Sequence, residues 1–158
     1  MNSQYARVAE RAGHRCEYCR APEAIFNFPF EVEHIVPPGH GGNQEDTNLA
    51  LSCRSCNLFK TDRLNVIDRL TGKTLPLFNP RRHLWKEHFQ VDRSSAMLSG
   101  LTEIGRATIE QLQMNTVAQL KARKHDTRSV AAMPARKLLE CQELFRTMTQ
   151  CSIGESQV

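Results

Sequence analysis

The chain has 158 residues, 40% of them hydrophobic and 24% charged, with a formal net charge of +4. Such a composition is ordinary for a globular chain of about one domain. No stretch approaches the roughly 20 apolar residues of a membrane-spanning helix, and residues 1–13 are polar, with Arg7 and Arg11 and no apolar run that would act as a secretory signal. These features predict a cytoplasmic protein with no membrane partner, a setting in which paired Cys-x-x-Cys motifs bind metal rather than form disulfides.

The charge is unevenly spread. From Glu17 to Cys53 there are six acidic residues against one arginine, and from Arg54 to Arg93 nine lysines and arginines against four acids. A basic belt beside a carboxylate-bearing segment suits a protein that attracts a polyanion and holds a divalent cation against it, although an unevenly charged solvated surface would read the same way.

Taken in chain order, Tyr5, Val8, Ala9 and Ala12 stand at helical spacing and predict a short amphipathic helix over residues 3–12, ended by Gly13. A Cys-x-x-Cys knuckle, Cys16 to Cys19, follows. Residues 21–29 hold two prolines and read as loop. Over residues 30–36 Phe30, Val32, His34 and Val36 alternate with Glu31, Glu33 and Ile35, which predicts a strand. Pro37-Pro38-Gly39 and Gly41-Gly42 force a turn. Residues 49–51 read as a short return strand, and Arg54 to about Leu64 as the start of a helix just after the second knuckle (Cys53 and Cys56). The segment is a ββα unit.

Further on, residues 70–75 read as a hairpin, residues 85–91 as a strand, and residues 107–114 and 117–124 as helices. Residues 130–150 carry Leu138, Leu139, Leu144 and Phe145 at helical spacing, with Pro134 near the start. Cys141 and Cys151 have no partner knuckle and read as ordinary thiols. The expected class is α+β. The expected organisation is a core over 1–65, an extension packed on it over 66–126, and a helical segment over 127–158.

Two Cys-x-x-Cys loops supply the closed tetrahedral thiolate set of a structural zinc site, with ligands Cys16, Cys19, Cys53 and Cys56. The gap between the knuckles is longer than in compact zinc motifs. That gap contains Glu33-His34, a Gly-Gly turn and Asn48, and Asn57 follows the last cysteine.

Cys16-x-x-Cys19, Glu33-His34-Ile35, Gly41-Gly42, Asn48-Leu49 and Cys53-x-x-Cys56-Asn57-x-x-Lys60 together resemble the HNH endonuclease family, whose fold is the ββα-metal, or His-Me, finger. The resemblance covers roughly residues 13–63. A second block, from Pro76-Leu77-Phe78-Asn79-Pro80-Arg81 to Met114-Asn115, looks like the extension of some stand-alone bacterial HNH proteins. The resemblance implies hydrolysis of phosphodiester bonds in DNA, with RNA left open. It implies His34 as general base on water, Asn48 as the residue that ties the loop and positions that base, and Glu33 with Asn57 as ligands of one divalent cation. Oxygen ligands suit magnesium or manganese more than zinc. On an ideal strand Glu33 points away from His34, so a bulge or twist is expected there.

Asn57 stands where other members have histidine, and Glu33 where others have aspartate; both departures bear on metal preference and rate. Lys60, Arg63, Arg81 and Arg82 are the candidates for backbone phosphates. His88 reads as structural and His40 as exposed, while His14, His83 and His125 carry no pairing visible in the sequence. Two rival readings remain: a non-catalytic zinc module that binds nucleic acid, and a redox protein using its Cys-x-x-Cys pairs. One active site per chain cuts one strand at a time, so monomer and homodimer are both compatible with the reading.

Overall fold

The computed structural model describes residues 4–131. Two compact units divide the chain, residues 1–125 and 126–158; all of the architecture that positions the site belongs to the first. The helix expected over residues 130–150, Cys141 and Cys151 lie outside the described residues, apart from the first two positions of that helix.

The chain is mixed α+β. Helix α1 (Tyr5–Arg11) buries Val8 and Ala9 and ends before Gly13, whose φ of +59° takes the chain out of the helix. Strands β1 (Glu31–His34) and β2 (Leu49–Ser52) pair antiparallel, with Glu31 opposite Ser52 and His34 opposite Leu49. Between them a tight turn follows Pro37-Pro38, with Gly41 at φ +81°. Helix α2 (Arg54–Lys60) follows β2 directly and is capped by Cys53, whose sulfur accepts the Cys56 backbone N–H. It is shorter than expected, because Thr61 adopts a φ of +52° that no α-helix can continue.

The extension forms two hairpins and three helices, the first a single turn. Strands β3 (Asn65–Ile67) and β4 (Thr74–Pro76) pair antiparallel, so the turn expected near residue 70 is present with its first strand upstream of it. Residues 85–91, expected as one strand, divide instead into a single helical turn, α3 (Trp85–His88), and a strand, β5 (Phe89–Val91), which pairs with β6 (Leu98–Gly100). Apolar side chains at Trp85 and Phe89 are four apart and both turn inward, a spacing that alternation alone misreads. Helix α4 (Glu103–Gln111) is capped by Thr102, whose hydroxyl accepts from the Gly105 N–H, and α5 runs over Val117–Ala131.

One apolar core joins these pieces. It includes Val8, Tyr18, Leu49, Leu51, Phe78, Phe89, Leu112 and Met114. Helix α4 approaches the α3 turn closely enough that a Cβ at Gly105 would lie 2.1 Å from the carbonyl oxygen of His88. Replacing Gly105 with alanine is therefore expected to lower stability by about 1–3 kcal/mol, the usual cost of overpacking. Thermal melting of G105A checks it; an unchanged Tm would show that this approach is not tight.

Candidate metal centre and active site

The two knuckles meet at one point. Cys16, Cys19, Cys53 and Cys56 are all buried, and their sulfurs lie within 4.8 Å of one another. The Cys19 and Cys53 sulfurs are 3.7 Å apart. A tetrahedral zinc with bonds of about 2.3 Å sets its sulfurs about 3.8 Å apart, so the cluster fits a zinc ion. Hydrogen bonding to Cys16 and to the other thiols pushes Cys53 far down, and the same contacts push Cys19 and Cys56 up. Four sulfurs so close together cannot all ionise without a cation among them.

The extension reaches this centre. Gln119 on α5 is buried and donates through Nε2 to the Cys56 sulfur at 3.4 Å and the Cys53 sulfur at 3.8 Å. Arg123, one turn further on, is also buried and donates to the carbonyls of Cys19, Ala96 and Met114. Trp85 donates its indole N–H to the carbonyl of Tyr18 at 2.7 Å. No sequence motif marks Gln119, Arg123 or Trp85 as partners of the knuckles.

Strand β1 presents two faces to two environments. Its register with β2 is continuous, so the bulge expected at Glu33 is absent and Glu33 and His34 point to opposite sides. The Glu33 carboxylate accepts from the Tyr18 hydroxyl and pairs with Lys60 at 3.0 Å; the Lys60 and Glu33 side chains are 1% and 5% exposed. Burial pushes the Glu33 carboxyl up, against the pull of the Lys60 ammonium and the Tyr18 hydroxyl. Lys60 also donates to the backbone carbonyl of His34 at 2.9 Å. The expectation that Lys60 meets backbone phosphates is corrected: its ammonium is spent inside.

Asn57 and Arg54 share the α2 face with Lys60. Both bond to Glu31, two residues before Glu33 on the same strand face: Arg54 at 2.9 Å, and Asn57 through its amide N–H. The structure thus brings Asn57 to Glu31, while Glu33 is held by Tyr18 and Lys60. On the opposite face Nε2 of His34 is buried and has no hydrogen-bond partner among the described residues.

Asn48 closes the loop after His34. Its side chain accepts from the Val36 N–H at 2.8 Å and donates to the carbonyls of Val36 and Asn43 at 2.9 Å each, and its own carbonyl accepts from the Ile35 N–H. A Cβ on Gly42 would fall 1.7 Å from the Val36 oxygen and 2.8 Å from the Asn48 amide nitrogen, so the Gly-Gly turn is what lets the clamp close.

Of the arginine candidates, Arg81 forms an ion pair with buried Glu17, whose other oxygen accepts the Leu51 N–H. Arg81 therefore ties the extension to β2 and is not free for phosphate, a second correction. Arg63 and Arg82 are exposed and line a shared cavity beside Ile35 and Val36. His88 bonds to the Thr102 hydroxyl at 2.7 Å, meets Phe78 edge-on and lies tilted against His83. His14 has a partner after all, the Glu23 carboxylate at 2.8 Å.

Purified protein is expected to contain about one zinc per chain by elemental analysis, and Cys56→Ser to lose it together with several kcal/mol of stability, because metal binding and folding are coupled in such sites. Gln119→Leu is expected to keep the fold while weakening zinc retention about 10- to 100-fold in a chelator competition. A folded, zinc-free wild type would refute the first expectation, and unchanged retention the second.

Among the described residues no helix is long and apolar enough to cross a membrane. No curated protein and no solved structure matches the chain significantly. The family comparison does match, over the knuckles and everything between them: residues 16–63 correspond to the family model described as HNH endonuclease, the family that the motifs of the sequence resemble.

Proposed function

We propose that the protein is a metal-dependent endonuclease that hydrolyses phosphodiester bonds of DNA, with His34 as general base on water. The observation that carries this reading is the state of His34. A buried imidazole nitrogen without a partner is costly in a structural residue, and here it belongs to His34, which lies within the residues that match the family model. The backbone around it is held from both sides. Lys60 bonds the His34 carbonyl, and Asn48 pins Ile35 and Val36. General-base catalysis requires such a fixed acceptor within reach of a substrate-bound water.

The family is metal-dependent, and magnesium or manganese is the proposed ion. When bound, such an ion supplies charge stabilisation at the scissile phosphate. Asn57, half-buried, remains the ligand that the motif implies, although it bonds Glu31 on the strand face opposite His34. Glu33 does not fit that role as it stands, because its carboxylate is already satisfied by Lys60 and Tyr18 in a closed environment. The same closed pair gives the rival reading its one specific support: a binding module would keep Glu33 and Lys60 as frame and never load an ion there.

Plasmid nicking with added magnesium or manganese separates the two. The wild type is expected to nick, a chelator to stop it, and His34→Ala to lower the rate by about two to four orders of magnitude with zinc content unchanged. Equal activity of wild type and H34A would overturn the assignment, and no activity at all would favour the binding module. Glu33→Gln is expected to leave Lys60 buried without an ionic partner, at a cost of about 3–5 kcal/mol visible in the melting curve. A normal Tm with a raised magnesium requirement would instead return Glu33 to the metal.

A further inference from the structure

Resting on the nucleic-acid reading above, we propose that the cavity after β1 is a subsite for an unpaired nucleotide of the substrate strand, next to the bond that is cut. The cavity measures about 390 Å³, within the range of about 300–1,000 Å³ usual for ligand sites. It opens beside Ile35 and Val36, the two residues that follow His34, so an occupant lies within one or two residues of the catalytic strand end.

Its lining has the chemistry of a nucleotide. Arg63 and Arg82 supply two guanidinium groups at the wall, neither in an ion pair with any described residue, and no carboxylate lines the cavity. Guanidinium groups are fitted to phosphate. The aromatic surface comes from His83, packed on Phe78 with ring centroids 5.6 Å apart. Nδ1 of His83 accepts the Asn79 backbone N–H at 3.1 Å, which leaves the ring proton on Nε2, and burial, His88 and Arg82 lower its basicity. A neutral ring on an apolar support is a stacking platform for a base. Asn65 adds an amide, the side chain that pairs with base edges.

Two features favour an unpaired nucleotide in a strand over other occupants. A base inside a duplex cannot enter a cavity without leaving its stack. Moreover, Arg63 and Asn65 also line a second cavity of about 480 Å³, so the same two side chains border room for a further nucleotide, which a strand can use and a free mononucleotide cannot. The two arginines were candidates for backbone phosphates; their place on this cavity gives them a local partner.

The experiment uses zinc-loaded full-length His34→Ala protein, which binds without cutting, and oligonucleotides carrying 2-aminopurine either in a bulge or in a fully paired duplex. Base stacking is expected to quench the bulged probe and leave the paired probe unchanged. His83→Ala is expected to weaken binding of the bulged probe about 5- to 100-fold. Because His83 packs in an aromatic cluster, exposed Arg82→Glu serves as a second variant and is expected to weaken the same probe while duplex binding falls less. Deoxynucleoside monophosphate is expected to compete weakly or not at all; full competition at micromolar concentration would replace the strand with a free nucleotide and overturn the proposal. Equal signals from bulge and duplex, or quenching insensitive to both variants, would overturn it too. Nicking by the wild type without quenching defeats the subsite and leaves the nuclease standing, whereas quenching without nicking does the reverse.

Discussion

Four thiol sulfurs brought within 4.8 Å of one another are the constraint from which the rest of the site hangs. The knuckles come from distant parts of the chain, and closing them fixes the ends of everything between. Cys53 is both a ligand position and the cap of α2, so the direction in which that helix leaves the centre is set at its first residue. Tyr18 lies within the other knuckle, and its hydroxyl reaches Glu33 on β1. From Glu33 the connection passes to Lys60 at the end of α2, and from Lys60 to the carbonyl of His34. A chain of bonded groups thus runs from the metal centre to the residue that does the proposed chemistry. Gln119 and Arg123 brace the same centre from the far side.

Charge is distributed by the same logic. A strongly basic belt would by itself make every lysine and arginine a phosphate contact, yet several are turned inward. Lys60 pairs with Glu33, Arg81 with Glu17, and Arg123 satisfies three carbonyls. Buried charges of this kind are weak sources of net stability but strict in geometry, because removing one partner strands the other in a medium of low polarity. They lock the extension to the core, while Arg63 and Arg82 stay exposed at the cavity beside Ile35 and Val36.

The sequence by itself determined the metal ligands, the ββα order and the motif. All three rest on short spacings: two residues between cysteines, a period of two along β1, and glycines and prolines that force a turn. The placing of Asn48 and His34 at opposite ends of one loop was legible for the same reason, while their part in catalysis belongs to the proposal. It misread residues 85–91, where apolar positions four apart served a helical turn as well as a strand, and it asked for a bulge that the β1–β2 register does not contain. What only the tertiary structure decided is which charges meet. Lys60 and the His34 carbonyl are 26 residues apart, Gln119 and Cys56 63, and Arg123 and Cys19 104. Contacts at such separations depend on how helices and strands stack, and no local pattern encodes them. Whether a lysine near an active strand faces phosphate or a buried glutamate is settled by a few ångströms of packing, which the order of residues along the chain does not express.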